Sequence, residues 1–392
     1  MLSNNCNFFI LQYTIMQQPT YIEARNELIN HFKQGVKTKE DENLNGQYNM
    51  VSTALVNYLP SIGINEHEEI YKNILLHKKL SILEQSTYES LNFVEMENCS
   101  DEMVSLLKNG PTIVCTFHTG SYRLLNLFLM KNKIPYSLVV GKNVVEQEGD
   151  AFMEIYNSLP GNADENNFGI IDAENATVGL QMLRAIKNGR SLLLYMDGNT
   201  GAGASTTKND NRCLVNFLGQ QIFARKGIAF LAHAANIPIV TVASYRASWE
   251  DIRLKFFDPI FPDPNKQRGL FAEETTQMIY DLVAPMIKAY PEQWEAWLYI
   301  HKVANIIHVE SYQMDKKVSS VTEKITLDSF RFGIFKLNGS SFLLRKSNYS
   351  FYEINKSLYD ILVKCDNAYI KKGCIDYPLF NQLYEQGVIQ YG

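Results

Sequence analysis

The sequence has little that would tie it to a disulfide framework, a metal or a nucleic acid. Its 392 residues include six cysteines, which are scattered, with no CxxC pair and no Cys/His spacing typical of a zinc site. The formal net charge of −5 provides no overall attraction to nucleic acid. We therefore expect reduced cysteines, no metal, no bound cofactor and no nucleic-acid partner.

Long hydrophobic runs are also absent. The apolar stretch at residues 7–16, NFFILQYTIM, is too short to span a bilayer and lacks the basic region and cleavage site of a signal peptide. With 46% hydrophobic and 20% charged residues, the composition is that of a globular protein. We expect a cytoplasmic protein with no transmembrane segment, whose contact with the inner membrane, where it occurs, is peripheral.

Residues 1–105 carry helical patterns. Thr20 can cap the helix that follows it, and residues 69–91 have apolar side chains at helical spacing. The charged and polar stretch at residues 35–46 separates these patterns and is typical of a loop. We predict a helical N-terminal region over residues 1–105 that packs on the next domain.

Short β-branched or apolar runs then alternate with helical patterns over residues 106–312. This alternation predicts an α/β domain in which a largely parallel buried sheet is flanked by helices. The predicted strands are residues 112–117, 135–140, 168–172, 191–196 and 237–244.

The end of the chain has a different pattern. Residues 313–328 are polar and lack periodicity, which predicts a linker. In residues 329–392, alternating residues surround Asn338-Gly339, a pair that favours a type I′ hairpin, and two short amphipathic helices follow. We predict a small α+β module resembling a winged helix.

Ligands of parallel sheets gather beyond the carboxyl ends of the strands. His118 lies there and precedes a predicted helix whose first turn is Thr119-Gly120-Ser121. A histidine at this junction can accept a proton from an attacking hydroxyl or amine, and free N–H groups at the helix start can bind an oxyanion. The alternative interpretation is a histidine that only caps the helix.

Four segments in order resemble the lipid A late acyltransferases, within the lysophospholipid acyltransferase superfamily. His118-Thr-Gly-Ser-Tyr is similar to the H-x-G-N/S-W/Y segment of that family, and residues 192–201, 213–246 and 291–302 are similar to three later segments. The resemblance implies an acyl thioester donor, on acyl carrier protein or coenzyme A, with His118 as general base. It also implies N–H groups of Thr119 and Gly120, together with Ser121, at the oxyanion or substrate.

One position departs from the family. An acidic residue five positions after the histidine orients the imidazole in those enzymes, but here position 123 is Arg, which cannot accept a hydrogen bond. Either Asp197 or Asp172 supplies the orienting carboxylate, with Asp197 preferred, or catalysis is impaired. Arg123 itself has the planar fork that binds a phosphate or carboxylate of a substrate.

Other polar residues complete the predicted site. We expect three further residues to lie around the site and to position the residues that contact the substrate: Asp172, Arg246 and His301. The glycine-rich residues 198–206 predict a loop over the sheet edge, and Trp294 and Trp297 are interpreted as core packing. The residues expected to contact the phosphate of the acyl donor are Arg212, Arg225 and Lys226.

The C-terminal module resembles the PqqD-type recognition domain of ribosomal-peptide biosynthesis. Its hairpin is followed by NKSLYDILVKC (355–365) and by LFNQLYEQGVI (379–389). The resemblance implies that a leader peptide binds by adding a strand to an open sheet edge. The alternative is a winged-helix appendage with no ligand. The residues expected to contact the peptide are Leu343, Ile354, Leu358 and Ile361.

The preferred function is therefore transfer of an acyl group from a thioester to an amine or hydroxyl of a ribosomal precursor peptide. Two alternatives remain open at this point. One is a peripheral acyltransferase acting on a glycolipid or phospholipid. The other is a catalytically inactive protein that holds a peptide or acyl carrier, for which Arg123 is the main support.

Overall fold

The computed structural model describes residues 20–33, 35, 36, 38, 40–158, 167–198, 211–306 and 323–392. The apolar start at residues 7–16, most of the glycine-rich loop and most of the expected linker lie outside these ranges. The helices are α1 (Tyr21–Lys33), α2 (Glu42–Tyr58), α3 (His67–Gln85), α4 (Asp101–Asn109), α5 (Leu124–Lys131), α6 (Lys142–Ser158), α7 (Val178–Lys187), α8 (Gly227–Ala235), α9 (Arg268–Ala289), α10 (Lys356–Asn367) and α11 (Tyr377–Glu385).

Sixteen strands are present in the described residues, and they form one seven-stranded and three three-stranded sheets. The strands are β1 (Val94–Glu97), β2 (Ile113–Thr116), β3 (Tyr136–Val140), β4 (Phe168–Asp172), β5 (Ser191–Tyr195), β6 (Arg212–Phe217), β7 (Gln220–Arg225), β8 (Ile239–Arg246), β9 (Ile252–Phe256), β10 (Ala304–Asn305), β11 (Lys324–Leu327), β12 (Phe332–Leu337), β13 (Ser340–Arg345), β14 (Ser350–Ile354), β15 (Ile370–Lys371) and β16 (Ile389–Tyr391).

The main sheet has the order β1-β9-β8-β2-β5-β3-β4, and its strands from β8 to β4 run parallel. These are the five strands predicted from the apolar runs, so that prediction is confirmed. In β2, Ile113 and Cys115 belong to the core on one face and Val114 to the core on the other. Because helices cover both faces, the strands have continuous apolar sequences.

The described residues between 20 and 105 include helices α1 to α4, and the first of these helices has the expected cap. The side chain of Glu23 accepts the N–H of Thr20 at 2.9 Å, and the Thr20 hydroxyl accepts the N–H of Glu23 at 3.4 Å. This part of the chain is not entirely helical, however. Strand β1 pairs in parallel with β9 at the edge of the main sheet, so the boundary expected at residue 105 divides elements of one sheet.

The C-terminal unit contains the predicted hairpin and both predicted helices. Asn338 and Gly339 have φ values of +51° and +81°, as a type I′ turn requires. The unit begins earlier than expected, because β11 lies inside residues 313–328, assigned to a linker, and pairs with β15 and β16. It therefore has two small sheets, β12-β13-β14 and β15-β11-β16. Its relation to winged helices stays a prediction.

Helix α2 fastens this unit to the rest of the chain. The side-chain amide of Asn49 donates to the carbonyl of Ile334 at 3.1 Å, and that of Asn57 to the carbonyl of Lys346 at 2.7 Å. The Lys346 ammonium is 3% exposed and donates to the Ser52 hydroxyl at 2.6 Å. The outer edge of β12 is thus covered by α2 and has no room for another strand.

The buried ammonium gives this contact a pH dependence. Burial lowers the pKa of Lys346 to about 7, and neighbouring His67, also buried, has its pKa lowered to about 3. Asp328 and Asp366 act in the opposite direction on Lys346. Between pH 7 and 10.5 the unfolded chain keeps the proton on Lys346 that the folded chain has lost, so the free energy of unfolding rises with pH.

We expect Lys346→Met to remove this rise. The wild type should gain at most about 1.4 kcal/mol per pH unit relative to the variant between pH 7 and 10, and nothing below pH 7. Denaturant unfolding at half-unit pH intervals measures the two slopes. Parallel curves for the two proteins would show that Lys346 does not titrate in this window.

Candidate active site

The register of two parallel strands brings His118 and Asp197 together. Strands β2 and β5 are neighbours, and their last residues, Thr116 and Tyr195, lie opposite each other. His118 and Asp197 each come two residues later, so both side chains leave the sheet at its carboxyl edge. The geometry thus places side by side the two residues that the sequence predicted as base and orienting acid.

The two side chains are hydrogen-bonded. Oδ1 of Asp197 lies 2.7 Å from Nδ1 of His118, and the carboxylate also accepts the backbone N–H of His118 at 3.0 and 3.2 Å. A carboxylate at Nδ1 favours the tautomer with its proton there, which leaves the lone pair on Nε2. The side chain of His118 is 18% exposed and that of Asp197 is 3% exposed. This pair can act as an oriented general base.

Tyrosine rings hold the imidazole in place. Tyr195 stacks on the His118 ring with centroids 4.6 Å apart, and Tyr122 meets it edge-on at 4.9 Å. Tyr299 is further away, at 6.5 Å. Burial raises the pKa of all three hydroxyls above the usual range, so they are neutral groups near neutral pH.

The guanidinium of Arg123 forms an ion pair and hydrogen bonds with other side chains of the protein. Its Nη1 lies 2.5 Å from Oε2 of Glu148 and donates to the side chain of Gln85 at 2.9 Å, and its Nε donates to the Tyr122 hydroxyl at 3.3 Å. The guanidinium charge is therefore balanced by Glu148 of α6. The substrate role expected for Arg123 would require this ion pair to open.

The helix after His118 begins later than predicted. It starts at Leu124, because Thr119 pairs with Trp294 in an antiparallel bridge and residues 120–123 form turns. The N–H of Thr119 donates to the carbonyl of Phe117 at 2.8 Å, and that of Gly120 to the carbonyl of Gln293 at 3.0 Å. Neither amide is the free helix-start donor that was expected, so an oxyanion site at these groups would require both bonds to break.

Gly120 has a structural reason to be glycine. Its φ is +55°, and a Cβ at this position would lie 2.8 Å from Cα of Tyr245 and 2.9 Å from the carbonyl oxygen of Ser244. The close approach lets the N–H of Ser121 donate to the Ser244 hydroxyl at 3.0 Å. The hydroxyl of Ser121 is buried and has no partner among the described residues, so Ser121 does not face an open site.

Residues 291–295, here called the closing segment, hold both members of the pair. The N–H of Glu295 donates to the carbonyl of His118 at 2.8 Å, and the indole N–H of Trp294 donates to Oδ2 of Asp197 at 2.7 Å. The side chain of Gln293 bonds both backbone groups of Arg246, each at 2.8 Å. Sequence reasoning assigned Trp294 to core packing and missed this contact.

The three further residues expected around the site lie in different places. Asp172 ends β4, two strands from β5, and its carboxylate accepts the N–H of Glu174 at 2.8 Å. Arg246 forms a buried ion pair with Glu84, and its backbone N–H and carbonyl are hydrogen-bonded to the side chain of Gln293. His301 packs near Tyr349, and burial lowers its pKa to about 4. Asp197, rather than Asp172, is thus the acid next to His118.

The residues expected to bind the donor phosphate lie on a separate hairpin. Arg212 and Arg225 are opposite each other in β6 and β7, and burial lowers the pKa of both. Arg212 is 4% exposed and donates to the carbonyl of Phe223 at 3.4 Å. Lys226 forms an ion pair of 2.7 Å with Glu273. Their role in donor binding stays a prediction.

The residues expected to contact a peptide contribute mainly to the core of the C-terminal unit. Leu343 is 8% exposed, and Ile354, Leu358 and Ile361 are half-buried against the same core. A different group is exposed beside the sheet: Phe351 and Tyr352 of β14. Sequence reasoning missed them because it predicted the hairpin of β12 and β13 but not the third strand of that sheet, β14.

A metal site and a helix that could span a membrane are both absent from the described residues. No group of three or more His, Cys, Asp or Glu side chains there is arranged to hold a metal ion. Within the same ranges, no helix is both long and apolar enough to cross a bilayer.

The fold and the site define a mixed α/β protein with a His–Asp pair at the carboxyl edge of a parallel sheet. No family model and no curated protein matches the sequence. Among solved structures, the 1-acyl-sn-glycerophosphate (LPA) acyltransferase PlsC from Thermotoga maritima is similar, with 12% identity and a TM-score of 0.32. The alignment covers 64% of this chain and 97% of that one.

Proposed function

We propose that the protein is an acyltransferase that moves an acyl group from a thioester of acyl carrier protein or coenzyme A to an amine or hydroxyl. The observation that carries the proposal is the 2.7 Å contact between Asp197 and Nδ1 of His118. It supplies the orienting carboxylate that Arg123 cannot, and so supports an enzyme over an inactive binding protein. The four family-like segments surrounding the pair add support.

In the proposed reaction His118 handles one proton. Nε2 accepts the proton of the acceptor hydroxyl or amine while the acceptor atom forms a bond to the thioester carbonyl carbon. The carbon–sulfur bond then breaks, and the imidazolium returns the proton to the leaving thiolate. Asp197 holds the ring and stabilises its positive charge during transfer, since the carboxylate stays next to Nδ1.

Intact-mass analysis tests the reaction. The protein is incubated with acyl carrier protein or coenzyme A thioesters, and separately with precursor peptides encoded beside its gene and with lysophospholipid or lipid A precursors. A peptide that gains the mass of the acyl group supports the preferred acceptor. Acylation of lipids alone favours the peripheral lipid acyltransferase, and no acylation of any acceptor would overturn the enzyme proposal.

The peptide acceptor is proposed from the C-terminal unit. Strand β14 lies at the end of its sheet, and no described strand pairs with its outer side. Phe351 and Tyr352 on this strand are 54% and 48% exposed. An open edge beside exposed aromatic rings suits an extended peptide, which gains main-chain bonds from the strand and apolar contacts from the rings.

If a leader peptide binds by strand addition, its affinity should depend on the N–H groups of its backbone. Methylating one amide nitrogen at a time should weaken binding about tenfold at every second residue, because alternate N–H groups of an added strand point to the sheet. Titration of fluorescent synthetic precursor peptides measures the dissociation constants. Uniform effects along the peptide would contradict strand addition.

A matched pair of variants locates the peptide. Tyr352→Ala should weaken binding of the unmodified peptide about tenfold, as a contact residue does. Tyr377→Ala removes an equally prominent ring, 67% exposed on α11, and should leave binding unchanged. If neither variant alters binding, the unit is an appendage without this function.

A further inference from the structure

The carboxylate of Asp197 is fixed by more than His118. Three N–H groups converge on it: the backbone N–H of His118, the Nδ1 of its ring and the indole N–H of Trp294. The first two belong to the residue that the carboxylate orients. Trp294 is the one donor among these that comes from another part of the chain. It binds Oδ2 at 2.7 Å, where the backbone N–H of His118 also donates at 3.0 Å, and the His118 ring contacts Oδ1.

The indole is held rigidly in its turn. Trp294 is 1% exposed, and its ring lies 4.5 Å from that of Trp297 and 5.2 Å from that of Phe217, measured between centroids. Its backbone pairs with Thr119 in an antiparallel bridge. The closing segment therefore fixes the main chain beside His118 and the carboxylate of Asp197 at the same time.

We infer that Trp294 is a positioning residue for the proposed reaction, acting through its indole N–H as the third member of a His118–Asp197–Trp294 arrangement. Without that donor, the contacts described here hold the carboxylate through His118 alone. The backbone N–H of His118 still reaches Oδ2 at 3.0 Å, but the carboxylate can turn more freely about its bond to Cβ. The Nδ1 contact then weakens, and the imidazole no longer presents Nε2 in one orientation. This inference rests on the proposed function for its kinetic consequence, but not for its structural one.

A second tryptophan, just after the closing segment, offers a matched control. Trp297 is 0% exposed and belongs to the same aromatic cluster, but its indole N–H donates to the carbonyl of Pro291 at 2.9 Å and does not touch the carboxylate. Replacing either tryptophan with phenylalanine removes one indole N–H and keeps an aromatic ring in the core. A purely structural role predicts similar effects for the two changes, whereas a positioning role predicts effects for Trp294 alone.

The first measurement does not depend on activity. With ¹⁵N-labelled histidine, the proton on Nδ1 of His118 gives a downfield NMR signal, because it is hydrogen-bonded to a carboxylate; His118→Gln assigns it. Trp294→Phe should shift or broaden this signal, and Trp297→Phe should leave it in place. An unchanged signal in Trp294→Phe, or equal changes in both variants, would overturn the inference.

The second measurement is kinetic. Trp294→Phe should lower kcat about 10- to 100-fold, the usual worth of a hydrogen bond to a charged group, with little change in KM. Trp297→Phe should retain near wild-type kcat. If neither the wild type nor the variants transfer an acyl group, the proposed function fails. The NMR comparison still decides whether Trp294 positions Asp197.

Discussion

Replacing His118 with alanine is expected to lower kcat by about 10²–10⁴-fold, the usual contribution of a general base. The KM should change little, because the imidazole accepts the proton in the transition state and contributes little to binding of the substrate in the ground state. The fold should be retained, since His118 is partly exposed and its backbone bonds, to Glu295 and Asp197, do not need the ring. Steady-state kinetics with the acceptor found by mass analysis gives both constants.

A second histidine serves as the control for this change. His301 was also a candidate, but its ring lies near Tyr349, away from the His–Asp pair. His301→Gln should therefore keep kcat within about twofold of the wild type, the range expected of a change outside the site. Near wild-type turnover in His118→Ala would remove His118 from the mechanism.

The second large effect is expected for Asp197→Asn. The amide has nearly the shape of the carboxylate, but it can present an N–H to Nδ1 and so favour the tautomer with the proton on Nε2. We expect a loss in kcat of about 10²–10⁴-fold, comparable with that of His118→Ala. The double variant should be little worse than either single one, because residues that act as a unit have non-additive effects.

Asp172→Asn is the matched control for this change. Asp172 also lies at the carboxyl end of a parallel strand, but its carboxylate accepts the N–H of Glu174 and is not bonded to a histidine. Its replacement should leave kcat nearly unchanged. A large loss in Asp172→Asn together with a small one in Asp197→Asn would mean that the catalytic geometry differs from the one described.

The parts of the structure that could be predicted from the sequence are those with a local or strongly periodic signal. The five buried parallel strands are nearly continuous apolar runs, and Asn338-Gly339 allows one main turn type. The choice of Asp197 as partner of His118 also had a simple basis, because both follow the ends of apolar strands. It needed only the adjacency of β2 and β5, which strand order along the chain does not state.

The parts that were missed depend on contacts between residues far apart in sequence. Strand β1, VEME, is short and lies at a sheet edge. Its two apolar residues, Val94 and Met96, are only partly buried, so no continuous apolar run marks it. The start of α5 is displaced because the closing segment pairs with residues 118–120. The indole of Trp294 reaches a carboxylate 97 residues away. Local propensity carries no information about such pairings, and an apolar residue at helical spacing gives no sign that its single polar atom is used.

Helix α2 has a consequence for exchanging parts of this protein with others. One side of it carries the asparagine bonds to the C-terminal unit, and at its end Tyr58 packs on Trp297 with centroids 5.9 Å apart. Residues 323–392 therefore do not make a self-sufficient cassette, even though they are contiguous and have their own core. A chimera built by transplanting them alone would leave β12 facing a foreign surface, so the graft has to include a matching copy of residues 42–58.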